Sequence, residues 1–284
     1  MQSLSVFSDS SDRGEAITFL HANGFPPATY DSFLGHIRDL GRIDTLEHRP
    51  LWQAKAPTFL DWKVYASDAI DTLRREGRGP VWLVGHSMGG AISVLIASKA
   101  PELVKGIVAL DPVTINAPFL TFSKLAFRLW PNKPKMIKGA LGRPHHFESH
   151  DAAFSFYRTK RAFAAIADKE LMDFVLAAHA GSAQGVSLRY SGAWEACVYR
   201  SPPNLWRKIE KLKVPLHVVG GTSSYVITPS GADRWKAMAR VDVLLAVLLL
   251  EGCADTRVGD ATASERRGVS GGERKRLCIA LELL

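Results

Sequence analysis

The stretch that most restricts the fold is Gly85-His86-Ser87-Met88-Gly89, with Gly90 behind it. A short apolar run, Val81-Trp82-Leu83-Val84, precedes it, and a segment of helical length and composition, Ala91 to Ala100, follows. The first run comes after the breaker Gly77-Arg78-Gly79-Pro80 and reads as a buried strand. A serine set between small residues where a strand gives way to a helix fits the G-x-S-x-G elbow. The chain can reverse that sharply only if its neighbours lack bulk. The turn lifts the Ser87 hydroxyl above the sheet, at the amino end of a helix, where the Met88 N–H and the helix dipole can stabilise a developing oxyanion. The alternative is a small-residue turn with an incidental serine. The strand before and the helix after favour a nucleophile.

Strand and helix signals alternate across residues 15 to 113. Ile17 to Leu20, Arg42 to Glu47, Val81 to Val84 and Val104 to Leu110 read as strands. Between them, Tyr30, Phe33, Leu34, Ile37 and Leu40, and then Trp62, Val64, Tyr65, Ala69, Ile70 and Leu73, recur at helical spacing. Continuous apolar strands separated by helices predict an α/β fold, a mostly parallel sheet covered on both faces. Residues 114 to about 205 break the rhythm with helical patterns, such as Phe154 to Ala167 and Lys169 to Ala180, and with proline loops. No convincing strand is legible there, which predicts a helical cap over the carboxyl edge of the sheet. Val214 to Val219 restores a strand, and a polar turn, Gly220 to Ser224, leads to a helix ending near Met238.

A formal net charge of +8 is moderately basic, and Lys124, Arg128, Lys133, Lys135, Lys138 and Arg143 carry much of the excess. No nucleic-acid-binding module accompanies them. The first reading of this patch is a solvated surface, with a preference for anionic substrates or membrane surfaces as the alternative. Cys197, Cys253 and Cys278 show no disulfide or metal-ligand spacing, which fits reduced thiols in a cytoplasmic compartment, and neither a cofactor nor a metal is implied. The polar start, MQSLSVFSDSSDRGE, lacks an apolar core like that of a signal peptide. The longest apolar run, Val243 to Leu250, is less than half a membrane span. No stable membrane insertion is therefore expected.

Residues 1 to about 238 resemble the α/β-hydrolase superfamily, in the branch with a helical cap, through His21-Ala22-Asn23-Gly24-Phe25-Pro26, Gly85 to Gly90 and Ala109-Leu110-Asp111-Pro112. The resemblance implies hydrolysis of a small-molecule ester, thioester or related acyl bond through an acyl-serine intermediate. The loop at 21 to 26 resembles the HGFP loop of that family. Its second oxyanion donor is assigned to the Phe25 N–H, with Asn23 as runner-up, and His21 is read as shaping the loop. The family's acid usually follows the strand seen here at 214 to 219, where this chain has Gly220-Gly221-Thr222-Ser223-Ser224 and no carboxylate. Some relatives carry it one strand earlier, where Asp111 stands. Asp111 is thus either the catalytic acid or a cap for the turn before Pro112, and Asp233 is a poorer candidate.

The family's histidine belongs beyond residue 240, yet no histidine follows His217, itself inside a strand. Without an imidazole, Ser87 has no general base. His86 is expected to point beneath the sheet. His145, His146, His150 and His179 lie in the cap and would serve only by rearrangement. The expectation is a hydrolase domain over 1–240, C-terminally truncated, with impaired chemistry or a pseudoenzyme role. Residues 241–284 resemble a fragment of the nucleotide-binding domain of white-type (G subfamily) ABC transporters, through Cys253 to Gly259 and the signature Arg267-Gly268-Val269-Ser270-Gly271-Gly272-Glu273-Arg274-Lys275-Arg276. That implies a fusion near 240. No G-x-x-x-x-G-K-[ST] loop exists, so ATP hydrolysis is not expected. Within the fragment, Val241 to Val247 can be a helix, as in a transporter, or a strand on the sheet edge, with strand the preferred reading.

Overall fold

A computed structural model describes residues 3–8, 14–115, 117–221, 224, 226–227, 229–238 and 241–246. The transporter-like signature and everything after 246 lie outside them. The sheet has seven strands in the order β1-β3-β2-β4-β5-β9-β10. They are β1 (Leu4–Ser8), β2 (Glu15–Leu20), β3 (Gly41–Leu46), β4 (Val81–His86), β5 (Val104–Leu110), β9 (Leu216–Gly221) and β10 (Val241–Ala246). All neighbours are parallel except β1, which runs antiparallel to β3.

Side chains alternate between the two faces, as the pleat requires. Ile17, Phe19, Ile43, Val84, Leu110 and Val219 pack against α1 (Asp31–Ile37) through Phe33, Leu34 and Ile37. Leu20, Leu46, Leu83, Ile107, Ala109 and Val218 face α2 (Lys63–Arg75) and α3 (Met88–Lys99). Helix α3 is buried from Met88 to Ala97. A helix apolar on every side belongs inside the protein, and this one carries Ser87 at its amino end.

Between β5 and β9 the chain forms the cap. It contains α4 (Ala117–Leu129), α5 (Lys135–Leu141), α6 (His150–Arg158), α7 (Asp168–Ala178) and α8 (Gly192–Arg200), and the short α9 (Trp206–Ile209) that follows packs into the core beside α3. The expectation of a strandless cap is corrected here. β6 (His146–Phe147), β7 (His179–Ser182) and β8 (Gly185–Leu188) form an antiparallel sheet in the order β6-β8-β7. Strands of two to four residues are too short for a period-two pattern to emerge. β1 lies outside the strands read from the sequence, because Leu4-Ser5-Val6-Phe7-Ser8 is short and exposed or half-buried throughout at the antiparallel edge of the sheet. After β9, α10 (Pro229–Lys236) leads to β10, which pairs in register with β9 from Val241↔Leu216 to Ala246↔Gly221. The aliphatic run past 240 is therefore a strand of this sheet over its described part.

Candidate active site

Ser87 ends β4 and opens α3 at φ 51°, ψ −109°, a conformation that strains any residue with a side chain. Two glycines make the turn possible. A Cβ on Gly89 would stand 2.0 Å from the Leu20 carbonyl oxygen, and one on Gly85 would stand 2.5 Å from the Gly89 backbone. The Ala91 N–H reaches back to the Ser87 carbonyl at 3.2 Å. The amides before it, Met88 first, have no carbonyl of their own helix to bond.

A second strained turn lies beside it. Asp111 follows β5 at φ 44°. Backbone bonds lace the two turns together, with Ser87 N–H donating to Leu110 at 2.8 Å and Val113 N–H to Ser87 at 3.3 Å. The Asp111 N–H donates to Val219, the strand neighbour beyond, at 2.6 Å. The Asp111 carboxyl accepts the Ser224 hydroxyl on Oδ2 at 2.9 Å. Its Oδ1 is buried without a partner. Burial raises its pKa, and the Ser224 hydrogen bond opposes that. Ser224 sits in the turn after β9, and its Oγ also accepts the Val226 and Ile227 amides. Asp233 is exposed on α10.

The loop after β2 is tied to the cap at two points. The Phe25 ring enters the cap's aromatic cluster, 5.1 Å from the Phe174 centroid and 6.2 Å from Phe163. The Asn23 amide group is held at both ends, donating to the Glu195 carbonyl at 3.2 Å and accepting the Tyr190 hydroxyl at 2.7 Å. Glu195 in turn pairs with Arg143 at 2.8 Å, against Gly24. Burial lifts the Glu195 carboxyl above its ordinary range, and Arg143 opposes it. The two candidate donors differ in availability. The Phe25 N–H already donates within its turn, to Ala22 at 3.3 Å, whereas the Asn23 backbone N–H meets no acceptor among the described residues.

The histidines have other partners. His21 is fully buried, its ring tilted against His48 with centroids 4.3 Å apart. Its Nε2 accepts the His48 backbone N–H at 3.1 Å, so the proton sits on Nδ1, which donates to the Ala22 carbonyl at 2.8 Å. This is the ring of a loop-shaping residue, with its pKa pushed down by burial to about 4. His86 turns toward the α1 face, its Nδ1 2.8 Å from the Tyr30 hydroxyl, and burial lowers it likewise. His217 pairs across the sheet with Val108, two positions before the carboxyl end, and lies against Trp82. His179 holds Val175 and Tyr157, His150 approaches the His179 carbonyl, and His146 holds Gln184. His145 borders a cavity of about 350 Å³ with Trp52, Gln53, Arg189 and Trp194; Ser87 and Asp111 are not part of its lining. Among the described residues no histidine hydrogen-bonds Ser87, and no cluster of three metal-ligating side chains occurs. The partners Tyr190, Glu195, Tyr30 and Ser224 carried no signal in the sequence, since each contact closes a loop of tens of residues or more.

Residues 19–254 match the model of the alpha/beta hydrolase family. Mouse (Mus musculus) monoglyceride lipase is 37% identical over 62 residues, which cover 20% of each protein. Lipase LipV of Mycobacterium tuberculosis is 43% identical over 70 residues, 24% of this chain and 25% of that protein. The chain thus matches about a fifth to a quarter of the length of these curated relatives. The crystal structure of E-2-(acetamidomethylene)succinate hydrolase superposes with a TM-score of 0.69 at 20% identity, covering 86% of this chain and 85% of that one. The family match runs past residue 240, through β10 and beyond.

Proposed function

Because the chain belongs to the alpha/beta hydrolase family, we propose that its chemistry is cleavage of a carboxylic ester or related acyl bond of a small molecule, with Ser87 as the nucleophile. The observation that carries this reading is the strained Ser87 turn at the head of a buried helix, laced to the Asp111 turn, which is also at positive φ. Ser87 attacks the acyl carbon, and the oxyanion is received by the Met88 N–H and a loop amide, Phe25 or Asn23. Asp111 is the acid, its unpaired Oδ1 being where an imidazole N–H would be held. The lipases among the relatives support an ester substrate.

The reading includes impaired chemistry, because none of the histidines in these 284 residues follows His217 and none among the described residues hydrogen-bonds Ser87. Loss of a triad base costs about 10⁶ in turnover, while oxyanion hole and binding retain roughly 10³ over water. The full chain should therefore turn over p-nitrophenyl esters slowly at best, and Ser87→Ala should change that rate little. Ordinary enzyme rates abolished by Ser87→Ala would keep the nucleophile and overturn the impairment, directing the search for a base to His145, His146 and His150. Added imidazole that accelerates the wild type but not Ser87→Ala would support both parts of the reading. No serine-dependent rate under any condition would sink the nucleophile assignment.

A further inference from the structure

Helix α4 is apolar on two sides. Leu120 and Phe127, with Ser123 between them, face the protein. Phe122, Leu125 and Leu129, at i, i+3 and i+7, form a second ridge that faces out, with 71%, 60% and 58% of their surface exposed. Trp130, 55% exposed, follows Leu129 at the end of the helix, and Met136, 51% exposed, stands on α5. Isolated exposed apolar residues are ordinary, but three on one helix face with a tryptophan at its end mark a contact surface. The surrounding charge has one sign. Arg128, Lys133, Lys135 and Lys138 are exposed around the ridge, and no Asp or Glu occurs between Asp111 and Glu148. The Lys133 ammonium lies over the Trp130 ring at 5.4 Å. Buried Arg200 fixes the turn that carries them, donating to the Pro131 carbonyl at 2.8 Å and the Asn132 side chain at 2.7 Å.

We propose that this face of the cap docks on an anionic lipid surface, with the α4 ridge in the headgroup region and the cations against lipid phosphates. An apolar ridge with Trp at its end and Lys/Arg flanks is the composition of a helix lying in a membrane interface. A second copy of the chain fits less well, because a two-fold contact would set this unrelieved positive charge against itself. Adsorption of this kind needs no spanning segment, and no helix among the described residues is long and apolar enough to cross a membrane. The proposal is independent of turnover at Ser87, and its readout is binding.

The test is co-sedimentation of the full chain with phosphatidylcholine vesicles, with and without phosphatidylglycerol. Each cation near such a surface strengthens binding about fivefold. Wild type should therefore partition at least tenfold more strongly onto the anionic vesicles at low salt, and the preference should fade as salt rises. Phe122→Ser/Leu125→Ser/Leu129→Ser alters only exposed positions. It should keep the wild-type melting curve and lose at least tenfold in partitioning. Lys133→Glu/Lys135→Glu should remove the preference for anionic lipid and provides a second check should the triple variant melt early. Equal partitioning of wild type and both variants would overturn the proposal, as would no binding at low salt. So would a sedimentation-equilibrium dimer that the triple substitution dissociates, since the ridge would then be a contact between copies.

Discussion

Acid should unfold this protein earlier than its carboxylates alone would dictate, because of His21. The ring is fully buried, and its Nε2 is occupied by the His48 N–H, so a proton can enter only by breaking that bond in a dry site. Its folded pKa of about 4 compares with an ordinary value of 6.5. The sign follows from which state binds protons. Above pH 6.5 neither state protonates the ring and stability is full. As pH falls from 6.5 toward 4 only the unfolded chain takes up the proton, so stability is lost across that window. At pH 5, about one and a half units below the ordinary value, the loss from this ring is about 2 kcal/mol at 1.36 kcal/mol per unit. His86 and His48, both lowered by burial, act in the same direction. Asp111 and Glu195, raised by burial, oppose it over the upper carboxylate range. The assay is urea unfolding from pH 7 to pH 5, comparing wild type with His21→Asn. The wild-type curve should fall more steeply, by about 2 kcal/mol over the interval. Heteronuclear NMR should find the His21 ring neutral, with its proton on Nδ1, down to pH 5. Parallel stability curves, or a His21 that titrates near pH 6.5, would refute the reasoning.

Asp111→Asn should raise stability by about 1 kcal/mol in chemical denaturation, because it removes a negative charge that burial penalises, keeps an oxygen for the Ser224 hydroxyl, and tolerates the positive φ. Gly89→Ala should cost about 3 kcal/mol or prevent soluble expression, since the new methyl would collide with the Leu20 carbonyl; a melting temperature within a degree or two of wild type would contradict the packing described. Arg143→Met should cost about 3 kcal/mol by stranding the buried Glu195 carboxylate, and adding Glu195→Gln should recover most of the lost melting temperature.

The sequence made legible what adjacent residues determine. The elbow, the alternation from β2 to β5 and the general extent of the cap follow from local bulk and period, and the structure has them with boundary shifts of a few residues, as in β9 at Leu216–Gly221. Two helical patterns were cut shorter: α6 is His150–Arg158, where Phe154 to Ala167 had been expected, and α7 ends at Ala178. Contacts over long separations stayed hidden. Asn23 gave no sign that Tyr190, 167 positions away, would hold its side chain, and Asp111 none that Ser224 would bond its carboxyl. The sequence left Asp111 between catalysis and capping. Its carboxylate accepts no backbone amide among the described residues, and one of its oxygens has no partner.

The double tether of the loop after β2 ties its position to that of the cap. Tyr190, just before α8, and Glu195, in its first turn, grip Asn23, and Phe174 of α7 grips the Phe25 ring. Any outward swing of those helices must tear the Tyr190 hydroxyl from Asn23 or carry the loop along with it. The position of the loop that carries the Asn23 and Phe25 amides is thus coupled to Tyr190, Glu195 and Phe174, so a substitution at any of these three cap residues acts on the loop at a distance.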